Sequence, residues 1–141
     1  MSLDLTSLES AIGQLEKSLK YATSPVAEDP ELFEQLRNSV IQCFKFTYEL
    51  SHKMLKRYLE DTAANPEDID VDTFQNLIRT GNEKGLLRSD WLKWKTYRQA
   101  RTDSSHTYDK SKAEAVYAIA PDFLQEAKYL YSQLLNKPTN Q

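Results

Sequence analysis

Residues 30–60 read PELFEQLRNSVIQCFKFTYELSHKMLKRYLE, and this stretch decides the fold. Apolar side chains recur at Leu32, Phe33, Leu36, Val40, Cys43, Phe44, Tyr48, Leu50, Leu55, Tyr58 and Leu59, mostly three or four apart, as on one face of a helix. Pro30 suits the first helical turn, where a missing N–H costs nothing, and no Gly or Pro follows until Pro66. The spacing predicts one helix of about 30 residues, the central mast of the molecule.

The flanks read the same way. Leu5, Leu8, Ile12, Leu15 and Leu19 form an N-terminal stripe, with Thr6 or Ser7 to cap it and the Pro25-containing segment from Thr23 to Asp29 to end it. Beyond the mast, Asn65-Pro66-Glu67-Asp68 reads as a turn. Asp72 and Gln75 resemble a capping box for a short helix that carries Phe74, Leu77 and Ile78 and ends near Gly81 or Gly85. Ser89 is placed to cap a helix with Trp91, Leu92, Trp94 and Tyr97, and Asp109 or Ser111 to start the last one. Pro121 is expected to kink that last helix or divide it. No stretch alternates as a strand does, and no repeat of 20–50 residues is visible. The prediction is all-α: a single domain over residues 1–141, an antiparallel up-and-down bundle of about five helices with a long central helix.

Composition narrows the function. The chain has 141 residues, 40% apolar and 28% charged, enough to build a core beneath a polar surface. Its longest run without Asp, Glu, Lys or Arg is Tyr129–Asn136, too short to span a bilayer. The N-terminus shows no basic and then apolar signal pattern. A cytoplasmic protein with no membrane partner is expected. Cys43 is the single cysteine, and with His52 and His106 it lacks any metal-ligand spacing, so no metal and no cofactor are implied. Net charge is −3, yet Leu86–Lys112 holds seven cations against three anions, a basic window on an acidic body that can attract a phosphate backbone.

The densest polar stretch is Tyr97–Asp109, where one helix should end and the next begin. Arg101 is a permanent cation whose planar fork suits phosphate. His106 is the one side chain there of the type suited to proton transfer near neutral pH, and Tyr108 adds a hydroxyl. On an ideal helix Arg101 and His106 lie about 140° apart. A shared site therefore requires the helix to unwind before His106, or a second subunit to complete it. The alternative is that Arg101 pairs with Asp103 or Asp109 and His106 caps a helix end. His52 reads as a helix-surface or core-edge residue. Trp91 and Trp94 read as core or interface rather than base-stacking platforms, and the homodimer reading treats Trp94 and Tyr97 as exposed.

Two stretches, Phe44–Leu59 and Arg101–Asp109, resemble the small helical nucleotidyltransferase substrate-binding proteins of the HEPN superfamily, with the likeness running from the first helix to about Leu135. The resemblance implies a helical bundle that forms a homodimer and is encoded beside a minimal nucleotidyltransferase, often as toxin and antitoxin. It implies a metal-independent endoribonuclease with Arg101 and His106 catalytic, and Tyr108 as the residue to which the partner attaches AMP. Arg98, Lys95 and Thr102 would hold the RNA backbone beside the cleaved bond. The residue after the arginine, often Asn in the family, is here Thr102, which keeps a hydroxyl and loses the amide. At His52 relatives often carry a larger apolar residue, and no role is carried onto it. Two other readings stand beside the toxin: a non-catalytic subunit that binds substrate for the nucleotidyltransferase, and a helical scaffold with an unrelated partner.

Overall fold

A computed structural model of the chain describes residues 3–70 and 73–137, the side chain of Asp70 excepted. Its elements are α1 (Thr6–Ala22), a 3-10 turn (Pro25–Glu28), α2 (Pro30–Thr62), α3 (Pro66–Asp70), α4 (Phe74–Glu83), α5 (Trp91–Asp103) and α6 (Lys110–Asn136). The mast is α2, 33 residues long. Asp29 caps it by accepting from the Glu31 amide at 2.9 Å, with Pro30 in the first turn. Short connections make α1–α2 and α5–α6 antiparallel pairs, and α6 packs along α2, α1 and α5.

Several details differ from the sequence reading. Among the described residues there are six α-helices where about five were expected, because Pro66–Asp70 forms a one-turn helix in place of a turn. Neither Thr6 nor Ser7 caps α1; the Asp4 carboxylate accepts from the Thr6 amide at 3.0 Å instead. Asp90, not Ser89, caps α5, and Thr73 caps α4 through the Asn76 amide at 3.1 Å. Asp72 lies outside the described residues. Gly81 sits within α4, where a Cβ would come within 2.9 Å of Leu87, and Gly85, at φ 75°, turns the chain just beyond that helix. Pro121 does not divide α6, which runs through it as one 27-residue helix. The buried Ala120, Phe123, Leu124 and Ala127 hold both halves to the core across the hydrogen bond that the proline cannot make.

The core centres on Phe123, fully buried, with the rings of Phe44 at 5.2 Å, Trp94 at 5.8 Å and Tyr97 at 4.9 Å. Trp94 and Tyr97 are therefore buried at 0% exposure, and the expectation that they are exposed dimer aromatics is wrong. They face inward because Phe123 and Tyr48 complete a ring cluster around them. Polar ties fix α5 on α6. Tyr97 donates to Asp122 at 2.7 Å, Arg88 and Lys93 both pair with Asp122, and the fully buried Glu126 accepts from the Arg88 amide at 2.8 Å. Burial pushes the Asp122 carboxyl up, but the Tyr97 hydroxyl, Lys93 and Arg88 more than offset this and hold it below its ordinary value. Among the described residues no helix is long and apolar enough to cross a membrane.

Candidate functional site at the α5–α6 junction

Helix α5 stops before His106. The Ser104 amide closes the last turn on the Ala100 carbonyl at 2.9 Å, and the Ser104 hydroxyl turns back to the Arg101 carbonyl at 2.6 Å. Two tight turns follow: His106 N–H donates to Asp103 at 2.8 Å, and Asp109 N–H to the His106 carbonyl at 3.0 Å. Asp109 then caps α6 through the Ser111 amide at 3.0 Å. The Ser111 hydroxyl and the Lys112 and Ser111 amides hold the Asp109 carboxylate below its ordinary pKa. His106 and Tyr108 thus lie on a non-helical hinge, outside the angular constraint that separates residues 101 and 106 on a continuous helix.

The side chains fall into two groups. His106 Nδ1 and the Tyr108 hydroxyl are 3.1 Å apart, their rings edge to face at 5.8 Å. Tyr108 is 84% exposed, so its hydroxyl is bonded yet open to an incoming reagent. Arg101, on the last turn of α5, reaches across to the mast. Its Nε donates to Glu49 at 3.0 Å, Nη2 donates to the same carboxylate oxygen, and Nη1 donates to the Ser105 hydroxyl at 3.3 Å. Arg101 therefore pairs with neither Asp103 nor Asp109. Asp103 accepts from the Gln99 amide group at 3.0 Å, and Asp109 is spent on its cap. Arg101 and His106 do not hydrogen-bond to each other; Ser105 and the hinge lie between them.

The remaining predicted residues distribute unevenly. Arg98 is exposed, with its guanidinium carbon 5.0 Å from the centroid of the Phe74 ring. Thr102 donates its hydroxyl to the Arg98 carbonyl at 3.3 Å. Arg98, Arg101 and Thr102 share one cleft with Glu49 and His52. Lys95 instead lines a separate groove with Gln99, Asp103 and Ile119. Tyr108 borders a third hollow, of about 510 Å³, together with Phe33, Arg37 and Lys110.

Glu49 is the residue that sequence reasoning missed. It stands 52 positions before Arg101, and no local pattern joins the two. The available signal was its place inside the Phe44–Leu59 stretch. His52 packs edge to face on Phe74 at 4.9 Å; burial, with Lys56 and Arg98 adding to it, holds its imidazole below the ordinary value.

Residues 3–136 match the protein family described as nucleotidyltransferase substrate binding protein like. The chain is 48% identical over 94 residues to a Haemophilus influenzae protein named probable ribonuclease HepT, a match that covers 67% of this chain and 64% of that protein. It thus spans slightly less than two thirds of that relative's length. A solved Haemophilus influenzae structure, described as the fold of a substrate binding domain of a nucleotidyltransferase, aligns with a TM-score of 0.88 at 38% identity, over 94% of this chain and 100% of that one.

Proposed function

The chain belongs to the nucleotidyltransferase substrate binding protein like family, and from that premise we propose that it is the ribonuclease toxin of a pair whose other member is a minimal nucleotidyltransferase. The observation that carries this reading is the hinge itself. A phosphate-matching guanidinium ends α5, held by Glu49 and Ser105, and the turn that follows carries an imidazole hydrogen-bonded to an exposed phenol.

In the proposed reaction the RNA 2′-hydroxyl attacks the adjacent phosphorus. The O2′–P bond forms, the P–O5′ bond breaks, and a 2′,3′-cyclic phosphate and a 5′-hydroxyl result. Arg101 stabilises the charge that builds on the non-bridging oxygens. One proton leaves O2′ and one is delivered to O5′, and His106 is the group suited to either transfer. Each chain offers one such histidine at the hinge. A homodimer that brings two hinges together supplies both base and acid, and this is the ground for the dimer once Trp94 and Tyr97 are placed in the core. Tyr108 is the proposed site of silencing. Its hydroxyl oxygen attacks the α-phosphorus of ATP on the nucleotidyltransferase, pyrophosphate leaves, and the phenol proton passes to a base for which His106 is in hydrogen-bonding position. The adduct adds a negative charge and a bulky nucleoside beside the hinge.

A specific observation favours a second reading, a non-catalytic subunit that binds substrate for the nucleotidyltransferase: Glu49 already neutralises Arg101. Induced expression with and without Arg101→Ala, followed by incubation of the purified proteins with RNA, separates the two. The toxin reading requires growth arrest and RNA cleavage that Arg101→Ala abolishes; equal behaviour of both proteins favours the binding subunit. Incubation with ATP, magnesium and the nucleotidyltransferase tests Tyr108. A mass gain of AMP units that disappears in Tyr108→Phe supports the assignment, and a gain that persists refutes it.

A further inference from the structure

The cleft that Arg101 shares with Arg98 has features that phosphate binding alone does not use. It is an open cleft of about 430 Å³ between the middle of α2, the first turn of α4 and the C-terminal half of α5. Phe74 opens α4 directly after its Thr73 cap, so the start of that helix delivers an aromatic ring to the cleft wall. His52 meets that ring edge to face at 4.9 Å, and Arg98 lies over it at 5.0 Å. Among the described residues Arg98 has no carboxylate partner, unlike Arg88, Lys93 and Arg101. One end of the cleft thus presents a ring, an imidazole and a guanidinium that lies over the ring without a carboxylate partner; the other presents the Arg101–Glu49 pair.

We propose that this cleft is a nucleobase subsite, which takes one unpaired base of the RNA nucleotide adjoining the phosphate held by Arg101. The inference rests on the ribonuclease reading above and deepens it by naming the form of RNA. A nucleotide joins a flat unsaturated ring to an anion, and the cleft joins flat unsaturated groups to a phosphate-matching cation. Stacking between aromatic or guanidinium planes is how single-stranded RNA bases are gripped without reading their sequence. An imidazole held neutral offers one donor and one acceptor to a base edge, and burial keeps His52 in that form near neutral pH. A base inside a duplex reaches such a cleft only by unstacking from its neighbours, so paired RNA is discriminated against. His52 and Phe74 are specificity residues in this scheme, and neither takes part in the chemical step.

The test places one change on each side of the contact. Single-stranded oligoribonucleotides with one abasic residue moved stepwise along the strand are compared with the intact strand, by fluorescence anisotropy with the His106→Ala protein and by cleavage with the natural sequence. One abasic position is expected to weaken binding and raise KM about tenfold, the scale of one lost stacking contact, with little change in kcat. Phe74→Leu is expected to weaken the intact strand by the same factor and to show no further loss with that abasic strand; His52→Leu serves as the second variant. Should a variant fail to fold, the abasic series with the unaltered chain decides the matter. Cleavage with no sensitive abasic position overturns the subsite and leaves the ribonuclease reading intact. Position-dependent binding without cleavage overturns the ribonuclease reading and keeps the subsite. Absence of single-strand binding, or duplex RNA bound and cleaved as well as single strands, overturns the subsite.

Discussion

Replacing Glu49 by Ala tests what the Arg101 pairing is for. Two anchors order the guanidinium: one Glu49 carboxylate oxygen, which accepts from Nε at 3.0 Å and also from Nη2, and the Ser105 hydroxyl at 3.3 Å. The pair is partly solvated, with the side chains 27% and 46% exposed, so its net worth to stability is under about 1 kcal/mol. The melting temperature should therefore fall by no more than a few degrees, as a domain of this size converts such a loss. The kinetic effect is larger. An arginine side chain carries about 2 kcal/mol of rotamer entropy. If Glu49→Ala returned all of it, ordering the fork again in the transition state would slow cleavage by up to roughly 30-fold. The expected outcome is a 10- to 30-fold drop in single-turnover cleavage of a single-stranded oligoribonucleotide, with binding little weakened because one competing carboxylate is gone. Glu49→Gln keeps an acceptor and should lose less. A cleavage rate equal to or above that of the natural sequence would refute the reasoning and make Glu49 a competitor for Arg101 rather than its holder.

Four further outcomes are expected. His106→Ala should abolish cleavage while the thermal melt stays nearly unchanged, since the residue sits on a hinge outside the core; an unaltered rate would remove the catalytic assignment. Phe123→Ala should cost about 3–5 kcal/mol in urea unfolding, because four aromatic rings lie against that fully buried side chain; a loss below about 1 kcal/mol would mean that the ring cluster does not organise the core. Folded His52 takes its proton at lower pH than the unfolded chain does, so the unfolded state binds more protons as pH falls through the ordinary histidine range, and stability falls with it. Thermal melts between pH 7.5 and 5.5 should show that loss, and His52→Gln should reduce it; an equal loss in both would refute the assignment. Finally, five cations per chain at most, Arg101 with Lys95, Arg98, Lys110 and Lys112, are placed to meet a single strand. With both chains of the proposed homodimer counted, the slope of log K against log salt should then be no steeper than about −7, and a markedly steeper one would place the binding track elsewhere.

The helices were legible because their causes are local. Periodic apolar positions and the Pro and Gly that interrupt them write α1, α2 and α6 directly into the sequence. The errors at the caps are errors between adjacent candidates. Ser89 and Asp90 both carry a capping oxygen, and backbone geometry at the junction selects Asp90; Thr6 and Ser7 lie just inside α1, where the Asp4 carboxylate reaches the free amide first. Misplacing Trp94 and Tyr97 is a different failure. Trp91, Leu92, Trp94 and Tyr97 spread apolar surface around much of α5, so its own sequence does not choose a buried face. Phe123 and Tyr48, on two other helices, make that choice, and Leu92 is left 75% exposed while Trp94 is sealed.

The basic window shows why a linear charge count misleads. Residues 86–112 carry an excess of four positive charges in sequence, but Asp122 from α6 draws on Arg88 and Lys93, and Glu49 from α2 draws on Arg101. Those two carboxylates, both from outside the window, halve the excess. What is left is too sparse and too divided to act as a continuous phosphate track, since Lys95, Arg98 and Lys110 open onto three separate hollows. On the proposed ribonuclease reading, affinity for RNA has to come from a few close contacts rather than a broad field. That places the burden of recognition on hollows where a guanidinium, a second cation and aromatic faces converge: the one of Phe33, Arg37, Tyr108 and Lys110, and the cleft between α2 and α5. There, one carboxylate decides whether Arg101 is merely neutralised or held in position for phosphate.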